Sequence, residues 1–125
     1  MGHLPEKEIN RVDVLSGAFM MIKKIVLDKT GGFDESFFMY GEDIDLSYRI
    51  ANTGYKNYYL GEITISHKKG GSTIYNYNNI KIFYGAMSLF VKKHYAGKRS
   101  PFFVFILYAG IWFRKMIAVT GLLFR

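Results

Sequence analysis

The segment from Gly31 to Gly54 constrains the fold of this chain more than any other. Gly31-Gly32 closes one helical stretch, Lys24 to Thr30, and Gly54 closes a second, Glu42 to Asn52. In the second stretch Ile44/Tyr48 and Leu46/Ile50 form i,i+4 apolar pairs, the pattern of a helix with one buried face. Three carboxylates, Glu42, Asp43 and Asp45, fall within its first four positions, just after the aromatic run of Phe37, Phe38 and Tyr40. Acidic residues suit a helix start, where they meet free N–H groups and the positive end of the dipole. Asp45 and Arg49 also have the i,i+4 spacing of a surface ion pair. Like charges this close repel, however, and chains tolerate that most often where acid–base chemistry or a cation is at stake. His67, 24 positions after Asp43, is a candidate to complete such a site.

Around this segment the chain alternates. Arg11 to Ser16 reads as a strand, and Gly17-Ala18 breaks it before a second apolar run, Phe19 to Ile22. Lys56 to Leu60 and Glu62 to His67 have strand character, rich in Tyr and Ile. Asn78 to Tyr95 reads as a helix with Gly97 behind it. Alternating strands and helices predict an α/β fold. Residues 1–75 make one region and residues 76–125 a helical C-terminal extension. At 125 residues there is room for one modest domain with a core of marginal size. A hydrophobic content of 50% and an aromatic content of 18% are high for so small a body. They predict packing against a partner, self-association or membrane contact. The chain has no cysteine, which excludes a disulfide framework and a thiolate metal site and fits a cytosolic compartment.

Charge divides the chain in two. The first 62 residues hold seven basic and ten acidic residues, a formal −3; from Ile63 onward there are ten Lys or Arg and no acid. A one-signed half attracts anions such as lipid headgroups, sugar nucleotides or nucleic acid. Ser100 to Phe113 is uncharged for fourteen residues, Arg114-Lys115 interrupts, and Met116 to Phe124 is apolar again. A spanning helix wants about 20 apolar residues, and a central Arg-Lys pair is costly in hydrocarbon. The tail is therefore expected to be an amphipathic helix lying on an anionic membrane surface, with packing on protein or on a second copy as the alternative.

The run GGFDESFFMYGEDIDLSYRIANTGYKNYYL, Gly31 to Leu60, resembles the C-terminal half of the catalytic domain of family 2 inverting glycosyltransferases, the rhamnosyltransferase-like group in particular. The resemblance reaches back to Val14-Leu15-Ser16-Gly17-Ala18-Phe19-Met20 and forward to His67-Lys68-Lys69-Gly70-Gly71-Ser72. It implies part of a glycosyltransferase A-type domain, the C-terminal strands and helices of a mixed sheet. By position, Asp43 matches the general base, Glu42 is its motif partner, and Asp45 closes the catalytic cluster. Gly17, Gly32, Phe33, Asp34 and Tyr40 match substrate-binding positions, and His67 matches a metal-reaching histidine. The resemblance further implies a nucleotide-sugar donor, a saccharide or lipid-linked acceptor, and a divalent cation, magnesium or manganese. It places the enzyme in the cytoplasm, peripheral on the inner face of the cell membrane.

The sugar-nucleotide half of such a domain should precede this segment. Asp43-Ile44-Asp45 has the spelling of its Asp-x-Asp metal motif, but lies inside the Glu-Asp motif and a predicted helix. No Gly-rich phosphate loop or EF-hand pattern occurs. The chain is thus expected to be a fragment, inactive alone and inclined to homo-oligomerise. The competing function is a non-catalytic basic module that binds anionic lipid or nucleic acid. No nucleic-acid motif is recognisable, so nucleic acid ranks low. The acidic cluster favours the enzyme, because a pure anion binder gains nothing from it.

Overall fold

The computed structural model describes Pro5, residues 7–66 and residues 76–124. Its elements run β1 (Ile9–Val12), α1 (Lys24–Thr30), α2 (Glu42–Asn52), β2 (Asn57–Leu60), α3 (Tyr77–His94) and α4 (Pro101–Leu123). Helices with a small sheet are consistent with a partial α/β domain. The described sheet has two antiparallel strands, with Ile9 opposite Leu60 and Val12 opposite Asn57. The chain forms two compact units. One takes the residues through Glu35 and resumes at Glu42 to run past β2; the other joins Ser36–Gly41 to α3 and α4.

In the first unit, α1 and α2 begin and end where the sequence predicts. Gly31 takes φ +72° and donates its N–H to Leu27 O at 2.7 Å; Gly54 takes φ +89° and donates to Ala51 O at 3.1 Å. Side chains disfavour that left-handed region, so glycine stops both helices. α2 turns Leu46 and Ile50 onto Val26 of α1, and Met20, Ile22 and Tyr55 pack against this core. Ile44 departs from the predicted apolar pairing and is exposed, whereas the polar Asp45 and Ser47 are fully buried.

β1 lies earlier than the predicted strand, Arg11 to Ser16, because other groups claim the backbone there. Asp13 O accepts from Asn57 Nδ2 at 2.9 Å. Leu15 N–H donates to Ser47 Oγ at 3.1 Å, and Gly17 N–H donates to Asp43 Oδ2 at 3.0 Å. Side chains satisfy what a neighbouring strand would otherwise have to satisfy. The described part of the predicted strand from Glu62 is not a strand. The ladder runs out near Gly61, whose N–H reaches Glu8 O at 3.2 Å, and no described segment pairs with the residues beyond. His67 lies outside the described residues.

In the second unit, α3 starts one residue before the predicted Asn78, capped by Asn76, whose side chain accepts from Asn79 N–H at 2.8 Å. Tyr84 Oη donates to Arg114 O at 3.0 Å and Tyr108 Oη to Ser88 O at 3.5 Å. As residue numbers rise on α3 they fall on α4, so the two helices pack antiparallel. Rings of Phe90, His94, Tyr95 and Phe103 fill the turn end of the pair, with centroids 4.6 to 6.1 Å apart. α4 continues unbroken through Arg114-Lys115. One stripe, including Val104, Leu107, Tyr108, Ile111 and Ala118, is half-buried; elsewhere rings stand in the open, Phe102 at 73% and Trp112 at 63% exposure. Apolar residues ring the helix more evenly than the expected amphipathic pattern. By length and composition, Pro101–Leu122 is long and apolar enough to cross a membrane.

Candidate active site

Asp43 sits in the first turn of α2, and the sequence around it fixes its carboxylate. Oδ2 accepts from Gly17 N–H at 3.0 Å, and Oδ1 accepts from Ile44 N–H at 2.8 Å. The approach at Gly17 is close: a Cβ built there would lie 3.3 Å from Asp43 Cβ. Glycine thus lets the loop come within donating distance. The residue is half-buried, and each carboxylate oxygen keeps a second lone pair for a further donor. A carboxylate held in this way has a fixed orientation.

The other two carboxylates of the cluster have different surroundings. Glu42 Oε2 is buried and has no hydrogen-bond partner among the described residues. Buried acceptors are rarely left so. Asp45 is 0% exposed and accepts from Arg49 Nε at 2.7 Å. The pair predicted for the surface is an interior one. The remaining nitrogens of Arg49 donate to the carbonyls that end α1: Nη1 to Thr30 O and, at 3.5 Å, to Gly31 O, and Nη2 to Gly32 O at 2.7 Å.

Of the other sequence-predicted residues, Gly32 and Phe33 are exposed and Asp34 is half-buried, all in the first unit. Tyr40 belongs to the second unit, where its ring meets Phe83 edge-on at 5.5 Å. His67 falls outside the described residues. Glu42, Asp43 and Asp45, neighbours in sequence, thus have separate hydrogen-bonding surroundings. Among the described residues no group of three His, Cys, Asp or Glu side chains is placed to hold a metal ion. A cleft of about 490 Å³ in the first unit is lined by Leu15, Met20, Ile22, Val26, Ile50 and Tyr58 among others, and by none of the residues singled out for chemistry.

Ser47 and Asn57 are organisers that the sequence reading passed over. Ser47 is fully buried and holds Leu15 N–H; Asn57 Nδ2 bridges Asp13 O and Ser47 O at 2.9 and 3.1 Å. The available signal was a small polar residue between Leu46 and Ile50, on the face that should be apolar. Such a residue needs a buried partner.

No family model matches the chain, and no solved structure matches it significantly. Curated relatives do. Over 59 residues, 47% of this chain, it is 37% identical to the N-acetylglucosaminyl-diphospho-decaprenol L-rhamnosyltransferase of two Mycobacterium tuberculosis strains. Rhamnosyltransferase WbbL of Escherichia coli K12 is 39% identical over 49 residues, 39% of this chain. The matched segment spans about a fifth of the length of each relative, 19% in every case. Part of this chain is accordingly related in sequence to glycosyltransferases.

Proposed function

We propose that the chain is the acceptor-and-base part of an inverting glycosyltransferase. The enzyme moves a sugar from a nucleotide-sugar donor to a saccharide or lipid-linked acceptor in bacterial surface polysaccharide synthesis. The observation that carries this reading is Asp43, an acidic-motif carboxylate held by the Gly17 amide in a chain related to rhamnosyltransferases. Asp43 takes the proton from the acceptor hydroxyl as its oxygen bonds to the anomeric carbon. The bond from that carbon to the donor diphosphate breaks in the same step, and the nucleoside diphosphate leaves with the bonding pair. A base needs to lie within hydrogen-bond reach of the hydroxyl, and the Gly17 contact gives the carboxylate a fixed direction for it. Glu42 stands beside Asp43 as the motif partner. Gly32, Phe33 and Asp34 form the acceptor-side loop. Asp45 supports the site through Arg49.

In this reading the divalent cation, magnesium or manganese, belongs mainly to a sugar-nucleotide half outside residues 1–125, with His67 as a candidate ligand. The described residues do not assemble such a site by themselves. Transfer then needs that half together with residues 1–125. The test uses the full-length protein, a nucleotide-activated L-rhamnose, and a polyprenyl-diphosphate-linked N-acetylglucosamine of the kind named for the mycobacterial relative. Transfer with inversion at the anomeric carbon is expected. Retention, or no transfer across a panel of nucleotide sugars, contradicts the reading.

α4 gives the protein its place in the cell: the cytoplasmic side of the membrane, peripheral, where lipid-linked acceptors reside. Its exposed rings, Phe102 and Trp112 among them, favour the bilayer interface, and Lys98, Arg99, Arg114 and Lys115 favour anionic headgroups. Arg114 and Lys115 near mid-helix weigh against a transmembrane course. Without lipid, the same rings support association between copies. Vesicle flotation of the full-length protein, with and without residues 101–125, tests this role. Recovery with anionic vesicles should fall on deletion, and it should fall with salt, because exposed charges are screened within about 8–10 Å at ordinary ionic strength. Equal recovery after deletion removes the membrane role.

A further inference from the structure

We propose that Arg49, oriented by the buried Asp45, is a positioning residue: it fastens the Gly31–Asp34 loop to the helix that carries Asp43. The proposal rests on the glycosyltransferase reading and adds a part to it. One guanidinium meets three successive carbonyls, Thr30, Gly31 and Gly32, while its Nε is held by Asp45 Oδ2 at 2.7 Å. Those carbonyls stand at the C-terminal end of α1, where the helix dipole is negative and a cation is favoured. Gly31, at φ +72°, turns the chain at this point, so the loop leaves α1 directly over the guanidinium.

The consequence concerns geometry. α2 holds the Gly17 loop at its first turn through Asp43, and the Gly31–Asp34 loop two turns on through Arg49. Base and acceptor-side loop are then referred to one rigid helix. Small displacements of a reacting pair cost rate steeply, so such a common frame matters to transfer. Asp45 is enclosed and directs its partner; it does not meet substrate. Lysine cannot replace the arginine here, since a single ammonium lacks the planar fork that reaches Asp45 and the loop carbonyls together.

The test compares Arg49→Lys with the parent in the full-length protein by two readouts. The first is amide hydrogen exchange at Gly31, where the loop begins and whose N–H is bonded to Leu27 O, against exchange within α2. The second is the KM for acceptor against the KM for nucleotide sugar. Exchange in the loop should rise by about tenfold with α2 unchanged, because loop opening is freed while the core stays closed. Acceptor KM should rise by about tenfold with donor KM within about twofold, the signature of lost acceptor-side contact. Asp45→Asn, which keeps a hydrogen bond but removes the charge, should shift both readouts in the same direction by less, and it serves if the lysine variant does not fold. Unchanged loop exchange, or equal shifts in both KM values, overturns the proposal. If the parent enzyme transfers no sugar, the glycosyltransferase reading falls, while loop exchange still decides whether the arginine holds the loop.

Discussion

In the unit built on α2, side chains hold distant stretches of backbone. Asp43 holds Gly17, Ser47 holds Leu15, Asn57 holds Asp13, and Arg49 holds Thr30 and Gly32. In the unit built on α3 and α4, rings and aliphatic side chains meet, with Tyr84 and Tyr108 adding single hydrogen bonds. Directional bonds fix loops to one geometry, which chemistry needs. Apolar contact is less particular about register, and here it leaves one face of α4 uncovered. The first unit is thus held by directional bonds, and the second by apolar contact that leaves rings of α4 exposed.

Substitutions test that contrast. The largest expected effect is at Arg49→Ala, which leaves Asp45 enclosed without its cation; losing one partner of a buried pair costs about 3–5 kcal/mol. Urea denaturation of the chain should show the loss, and a change below about 1 kcal/mol would mean that the pair behaves as a surface one. Ser47→Ala comes next. It strands Leu15 N–H, while the Ser47 carbonyl still accepts from Asn57 Nδ2, so about 1–3 kcal/mol should disappear, with faster amide exchange at Leu15. Smallest is Tyr84→Phe, which keeps the ring and removes one bond to Arg114 O, for about 0.5–1.5 kcal/mol by the same denaturation measurement. If Tyr84→Phe proves costlier than Ser47→Ala, the contrast between the units is wrong.

Much of the skeleton was legible because glycine and helical spacing act locally. The predicted bounds of α1 and α2 match those observed, since Gly31 and Gly54 end both helices whatever surrounds them. β1 was misplaced because its neighbour, residues 13–17, looks extended and apolar in sequence. Its hydrogen bonds go to Asp43, Ser47 and Asn57, residues 26 to 44 positions away. No local pattern reports such long-range partners. The acidic cluster was visible as a string, but a string does not say which way each side chain faces. Asp43 meets the Gly17 loop, Asp45 is enclosed with Arg49, and Glu42 keeps a buried oxygen with no hydrogen-bond partner among the described residues. Arg114-Lys115 broke the apolar run on paper. Backbone bonding is indifferent to those side chains, and α4 passes through them.

The central claim is that Asp43 is the base of a glycosyl transfer, and single-turnover kinetics of Asp43→Asn in the full-length protein tests it most directly. The amide is nearly the same size and can still accept the Gly17 N–H, but it cannot take the hydroxyl proton. Donor binding should change little, while the transfer step slows by about 10²–10⁴, the usual range for loss of a general base. Near-normal single-turnover transfer by the variant would contradict the account.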